Sequence, residues 1–447
     1  MGQFVQNSNM SIGDTVGLGF MTFAFFLGAG NLIFPPFAGM LAGENITLAM
    51  LGFLITAVGL PLAGLIAVAK ANGKVMAMLP AFAATALAVS IYIIIGPAFA
   101  APRTGLVAFE IGARPFIENT EALIQFGALS LNKAQLFYTI GFFSLAMLLS
   151  LFPGKLLDSV GKVLTPILIF LLVGLAASVV FTPSAAIGAA SGDYITSPLS
   201  KGILEGYNTM DTLASVIFGM LIIDILRKKG ITDSKAQTRY LVRAAIIAAS
   251  GLAFVYISLF YLGATAGDIA LGAENGGQIL TNYVTHEFGT LGTILLAAVV
   301  SIACLTTAVG LITACSEFFN ELLPKISYKA FVVFFSIVCA TVANVGLTQL
   351  INISIPVLMT IYPVAISLVA ITFLTERFPR PEFSHRLVLS IALFFGIFDG
   401  LQVAGVDTSF LNFMPLHAEG MAWLLPVGIA IAVCLFVPAK NQSVAAS

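Results

Sequence analysis

Gly28-Ala29-Gly30-Asn31-Leu32-Ile33-Phe34-Pro35-Pro36 is a glycine- and proline-rich stretch set inside the first long apolar segment of the chain. A helix interrupted at membrane depth exposes amides and carbonyls that hydrocarbon cannot satisfy, so a break here has to line a protein cavity or an ion site. Gly28 and Gly30 permit close backbone approach by a ligand, while Pro35 and Pro36 remove donors and are expected to restart the chain beyond the break. The freed amides of Ala29 and Gly30, at the positive end of a half-helix, suit a carboxylate. The alternative is a proline kink with small residues for tight helix packing. Asn31 weighs against it, because a kink alone needs no polar group.

Outward from this stretch the chain stays apolar. Of its 447 residues, 59% are hydrophobic and 9% charged, with a mean hydropathy of +1.03. Soluble domains carry about 25% charged residues, so this is a polytopic membrane protein. Segments of about 20 residues, roughly 30 Å of helix, recur twelve times. They fall at 13–37, 45–69, 78–101, 134–153, 159–181, 203–226, 238–263, 288–315, 329–347, 351–374, 387–407 and 420–438. Two-residue alternation is absent, which favours an all-α bundle over a barrel. With both termini cytoplasmic, 16 of the 20 Lys and Arg lie on that side, leaving Arg103, Arg114, Lys133 and Lys201 outside. That asymmetry sets the orientation. The first segment lacks a cleavage site and reads as a retained helix, not a signal peptide.

A second interruption, Glu205-Gly206-Tyr207-Asn208-Thr209-Met210-Asp211-Thr212, falls in the sixth segment. Two broken helices five segments apart indicate a five-plus-five inverted repeat, the second copy entering from the opposite side because five is odd. The units are then 1–182, an extracellular connection 183–202, the second repeat 203–376, and two further helices with a tail over 377–447. Those last helices pack at the edge or serve dimerisation. The outer connections 102–133 and 264–287 have room for surface or gating helices, and Thr232 or Asp233 starts a helix after the cytoplasmic loop.

Asp211 is the acidic residue placed near mid-membrane in the repeat core, where a charge is costly unless paired or hydrated. It either caps the second half-helix or titrates as part of coupling. Thr306 and Thr307 offer hard oxygen ligands that, joined by carbonyls of a broken helix, suit Na⁺; otherwise their hydroxyls return to the preceding turn. Residues 163–181 contain no Lys, Asp, Glu or His, which favours Na⁺ over H⁺, while Asp211 keeps proton coupling open. Arg103, Glu110 and Glu205 form either an outer electrostatic cluster or surface salt bridges. Asn344, Gln349, Asn352 and Asp399 are further polar groups in or near apolar segments. Cys304, Cys315, Cys339 and Cys434 show no metal-ligand spacing and are expected as buried thiols. His286, His385 and His417 are scattered, and no nucleophile, base and orienter stand in register. No enzyme chemistry, cofactor or nucleic-acid partner is indicated.

Four stretches carry a resemblance: Phe25-Phe26-Leu27-Gly28-Ala29-Gly30-Asn31-Leu32-Ile33-Phe34-Pro35-Pro36; Gly96-Pro97-Ala98-Phe99-Ala100-Ala101-Pro102-Arg103-Thr104-Gly105; Glu205-Gly206-Tyr207-Asn208-Thr209-Met210-Asp211; and Cys304-Leu305-Thr306-Thr307-Ala308-Val309-Gly310. In these the chain resembles the branched-chain amino acid:cation symporters, bacterial cell-membrane carriers of leucine, isoleucine and valine. The resemblance implies the inverted-repeat fold of the wider sodium symporters and Na⁺-coupled alternating access, with helices 1, 2, 6 and 7 rocking against 3, 4, 8 and 9. It also implies a substrate carboxylate at the Ala29 and Gly30 amides, with Asn31, Asn208 and Thr209 nearby and Phe25 and Tyr207 against an aliphatic side chain. The sodium position takes carbonyls of Ala24 and Leu27 and hydroxyls of Thr306 and Thr307. Where the wider group carries an Arg before the Phe-Pro pair, Leu32-Ile33 are apolar, so its outer-gate ion pair does not transfer. An aliphatic pocket separates one methylene by only about 1–3 kcal/mol, so one site is expected to serve all three substrates.

Overall fold

The computed structural model describes residues 10–118, 122–126, 129–152 and 185–438, together with positions 169, 170, 172–174 and 176–178. The fifth segment, 159–181, lies largely outside the described residues. The chain is mostly helical: α1 Ile12–Phe26, α2 Ala29–Ala42, α3 Ile46–Leu54, α4 Leu60–Lys70, α5 Ala81–Ile93, α6 Ala100–Val107, α7 Lys133–Ser150, α8 Pro198–Tyr207, α9 Asp211–Lys228, α10 Ser234–Ala264, α11 Gly276–Leu322, α12 Tyr328–Val342, α13 Leu347–Leu374, α14 Pro381–Val403 and α15 Leu424–Phe436. Side-chain caps explain several starts. Ser11, Asn132, Asp233, Asn275 and Ser327 each accept an amide of the first helical turn. After the 227–237 loop the capping residue is therefore Asp233, which accepts from the Ala236 amide at 2.8 Å.

Among the described residues, eight helical stretches are long and apolar enough to cross a bilayer, nine when the bent pair α8–α9 counts as one; α1 and α15 are shorter apolar helices. Ala29–Lys70 is one such stretch of 42 residues, joining what the sequence divides into the end of segment 1 and the whole of segment 2.

Three sequence expectations need correction. The helix resumes at Ala29, so Pro35 and Pro36 stand inside α2 and not at the restart; the two amide-less prolines leave the Asn31 and Leu32 carbonyls without their helical donors. The third segment does not end at 101. After an irregular turn at Gly96 it continues through α6 and the turns 108–116, a 36-residue span Ala81–Phe116. The described residues of the rest of that connection hold an antiparallel hairpin, β1 Leu123–Phe126 with β2 Leu129–Asn132, in place of gating helices, the one hairpin among the described residues of a mostly helical fold and a departure from strict all-α. The eighth segment starts close to the expected 288: α11 is two helices joined at a kink at Gly289, whose φ of +63° suits glycine, and the shorter one, 276–288, is a helix in the outer connection.

Two groups of helix contacts frame the two breaks. In one, α1 and α2 lie along α10, while α3 and α4 lie along α8 and α9. These contacts are backbone to backbone: a Cβ at Gly39 would stand 2.0 Å from the Phe260 carbonyl oxygen, and one at Gly202 would stand 2.0 Å from that of Ala49. Close approach of this kind holds helices together where lipid removes the hydrophobic driving force. In the other group, α6, α7 and α12 pack around α11.

Candidate functional site

The first break is held by Asn31. The Leu27 amide closes α1 on the Phe23 carbonyl at 2.8 Å, and the Gly28 amide, which an unbroken helix would direct to Ala24, donates to Phe26 at 2.7 Å and to Asn31 Oδ1 at 3.0 Å. The Ala24 carbonyl is thereby freed from its helical donor. Asn31 Nδ2 donates to Asp211 Oδ2 at 2.7 Å and also to the Tyr256 hydroxyl, which itself donates to Asp211 Oδ2 at 2.6 Å. One buried network thus joins α2, α9 and α10.

The second break is a three-residue turn, 208–210, with α8 and α9 bent 42° across it. Met210 has φ +64°, a left-handed conformation that costs a non-glycine residue about 1–3 kcal/mol. Thr209 supports the turn by donating to the Gly206 carbonyl at 2.9 Å and accepting from the Asp211 amide at 3.3 Å. Arg103 reaches in from α6. Its Nη1 donates to the Asn208 carbonyl at 2.7 Å and its Nη2 to Thr209 at 3.4 Å, and its guanidinium lies 5.2 Å from the centre of the Phe34 ring. Arg103 is 3% exposed, and its Nε–H has no partner among the described residues. An unpaired buried donor of this kind costs about 1–3 kcal/mol.

Between the breaks lies a cavity of about 30 Å³, lined in part by Phe25, Phe26, Gly28, Ala29, Gly30, Asn31, Arg103, Thr209, Asp211, Phe218 and Thr307. Such a volume holds only one or two waters, so an amino acid enters only when the walls move. Phe25 stacks on Phe218 at 5.3 Å, and Phe26 meets the same ring edge-on at 5.3 Å, forming an apolar wall.

Of the residues selected from sequence, Phe25, Ala29, Gly30, Asn31, Thr209, Asp211 and Thr307 come together at this cavity. Tyr207 does not; it is buried in a stack with Tyr362 at 4.2 Å. Asn208 contributes its carbonyl to Arg103, and its side chain donates to Glu205 at 2.9 Å. Ala24 and Leu27 are buried at the end of α1 outside the lining. The two threonines diverge. Thr306 Oγ1 donates to the Ala303 carbonyl at 2.8 Å, whereas the Thr307 hydroxyl is buried without a partner among the described residues, and a Cβ at Gly28 would stand 3.5 Å from it.

The outer cluster of Arg103, Glu110 and Glu205 is not formed. Glu110 pairs with Arg114 at 2.6 Å and Glu205 with Lys201 at 3.2 Å, while Arg103 sits inside the protein because α6 continues the span. Asn344 makes an ordinary interhelical bond to Thr139 at 3.1 Å, and Asp399 accepts from the Ala422 amide at 3.3 Å, both away from the cavity. The four cysteines are buried free thiols. Sequence reasoning missed Tyr256 and Phe218, regular helix residues without a compositional mark. It also misplaced Arg103, whose signal was a lone cation directly after an apolar run.

Two interrupted helices meeting at a buried polar cavity, within a bundle of bilayer-length spans, define a multi-pass membrane transporter. The chain belongs to the family described as branched-chain amino acid transport protein, whose sequence pattern matches residues 11–441. It is accordingly a transport protein and not an enzyme. It is 47% identical over 428 residues to the branched-chain amino acid transport system 2 carrier protein of Pseudomonas aeruginosa, covering 94% of this chain and 95% of that one. It is 41% identical over 438 residues to the branched-chain amino acid permease BraB of Bacillus subtilis, covering 96% of each. In fold it resembles a Na⁺-coupled sialic acid symporter solved in a substrate-bound outward-open state, with a TM-score of 0.58 at 17% identity over 95% of this chain and 91% of that one.

Proposed function

We propose that the protein imports leucine, isoleucine and valine across a bacterial inner membrane by sodium symport, through alternating access in a twelve-helix, five-plus-five inverted-repeat fold with cytoplasmic termini. The observation that carries this reading is the cavity between the two breaks. There the positive end of α2 and the negative end of α1 meet beside the wall of Phe25, Phe26 and Phe218, a match for a zwitterion with an aliphatic side chain. Packing supports the repeat: the first broken span lies along α10 and the second along α3 and α4, the exchange of partners that an inverted pair generates. Phe25, Ala29, Gly30, Asn31 and Thr209 surround the substrate. The freed Ala24 carbonyl, with Leu27 and the Thr307 hydroxyl, unpartnered among the described residues, holds Na⁺, while the Thr306 hydroxyl stays on the Ala303 carbonyl. Ion binding there stiffens the junction of α1 and α11 and raises substrate affinity, and linkage requires the converse.

A second reading, proton coupling through Asp211, is favoured by its burial in the network with Asn31 and Tyr256. Uptake of the three labelled amino acids into proteoliposomes separates the two. Saturable accumulation under an inward Na⁺ gradient and its absence in Na⁺-free buffer under a proton gradient is the expected result; equal accumulation under the proton gradient transfers coupling to Asp211.

A further inference from the structure

We propose that Arg103 takes the carboxylate of the transported amino acid, making it a specificity-determining residue of the site; the inference rests on the amino-acid transport reading above. Arg103 is buried and lines the central cavity, yet among the described residues no carboxylate lies within 4.0 Å of its guanidinium. A cation in a membrane interior that makes no direct ion pair marks a ligand pathway by default. Its present acceptors are two neutral carbonyls, and the second contact, to Thr209, is long at 3.4 Å. The Nε–H has no partner among the described residues. A carboxylate matches the guanidinium fork with two parallel charge-assisted bonds, a stronger set than carbonyls supply.

The surroundings point the same way. A Cβ at Gly30 would stand 2.5 Å from Arg103 Nη2, so the guanidinium lies directly against the first turn of α2. The cation and the amide end of that helix therefore converge on one spot. Asp211, the acidic group lining the same cavity, is held by Asn31 and Tyr256 and makes no ion pair with Arg103. A carboxylate placed between α2 and Arg103 draws Nη2 from Thr209, so binding is felt at the second break through the side chain that recognises the ligand. The chemical class selected is the α-carboxylate; the corresponding amide or alcohol lacks it.

The test measures equilibrium binding of labelled leucine to the purified full-length protein, with leucine and leucinamide as competitors, in wild type, Arg103→Gln and Arg103→Lys. Wild type is expected to prefer leucine by about 100-fold. Arg103→Gln loses that preference, its leucine affinity falling to that of leucinamide. Arg103→Lys keeps the charge without the fork and retains about a tenth of the preference. A wild type that does not discriminate, or an Arg103→Gln protein that loses both ligands in parallel or keeps the wild-type ratio, overturns the proposal. Should Arg103→Gln not elute as a folded protein, wild-type discrimination in Arg103→Lys overturns it alone. A wild type that takes up none of the three branched-chain amino acids removes the transport reading itself, a result separate from any change of ratio.

Discussion

Where α8 ends, Arg103 sits on the carbonyls of Asn208 and Thr209, and where α9 begins, Asp211 occupies the first turn. Each helix end at the second break thus carries a side chain of the sign its dipole calls for. At the first break the corresponding work falls to Asn31, which is neutral and satisfies the Gly28 amide. The end of α1 carries no basic residue and the start of α2 no acidic one. At the second break each pole faces a side chain of opposite sign, whereas the first leaves both poles open toward the cavity. An anion at the start of α2 and a cation at the end of α1 are what such a site lacks, and a zwitterion with a coupling ion supplies both.

The largest expected effect comes from stripping the second break of its compensation. Asp211→Ala removes the shared acceptor of Asn31 and Tyr256 and leaves Arg103 without a counter-charge in the same cavity. Breaking a buried charged network typically costs about 3–5 kcal/mol. A clear drop in melting temperature in detergent and uptake below about 1% of wild type are expected. Wild-type uptake by Asp211→Ala would show that the second break needs no internal charge.

Gly30 and Gly28 grade the first break. Gly30→Ala drives a methyl to 2.5 Å from Arg103 Nη2 and 3.4 Å from the Asn208 carbonyl, whereas at Gly28 the tightest contact is 3.1 Å to Thr307 Cγ2 and the backbone is extended (φ −109°). Initial leucine uptake is expected to fall about 30-fold for Gly30→Ala, which displaces the Arg103 guanidinium from the cavity, and about 3-fold for Gly28→Ala, as overpacking costs about 1–3 kcal/mol. The reverse order would place the tighter constraint on the threonine side of the cavity.

Both breaks are legible in sequence because glycine, proline, asparagine and aspartate are out of place in an apolar run. Their exact form is not. Pro35 and Pro36 look like the restart of a helix, yet the Asn31 bond to Gly28 lets α2 begin at Ala29. Arg103 looks like the outer end of a span because a hydropathy average treats a cation as solvent-facing, and only packing reveals that α6 runs on with the guanidinium turned inward. Tyr207 and Phe25 are both aromatic neighbours of a break. Tyr207 turns into its stack with Tyr362 while Phe25 faces the cavity, a difference of helix face that residue type alone does not mark.

The smallest effects separate Thr306 from Thr307, adjacent residues of the same type. Thr306 already donates its hydroxyl to the Ala303 carbonyl, so Thr306→Ala removes a bond that a helix makes for itself. The Na⁺ concentration for half-maximal leucine uptake is expected to stay within about 2-fold. Thr307 keeps beside Gly28 a buried hydroxyl with no partner among the described residues, and Thr307→Ala removes an oxygen whose occupation by an ion repays its burial. A rise of about 10-fold in that Na⁺ concentration is expected, equivalent to about 1.4 kcal/mol. Equal shifts in both variants would mean that Thr306 turns from Ala303 to the ion, and the open pole at α1 would then be closed by two hydroxyls. No shift in either would leave that pole to the substrate alone and move the coupling ion away from the first break.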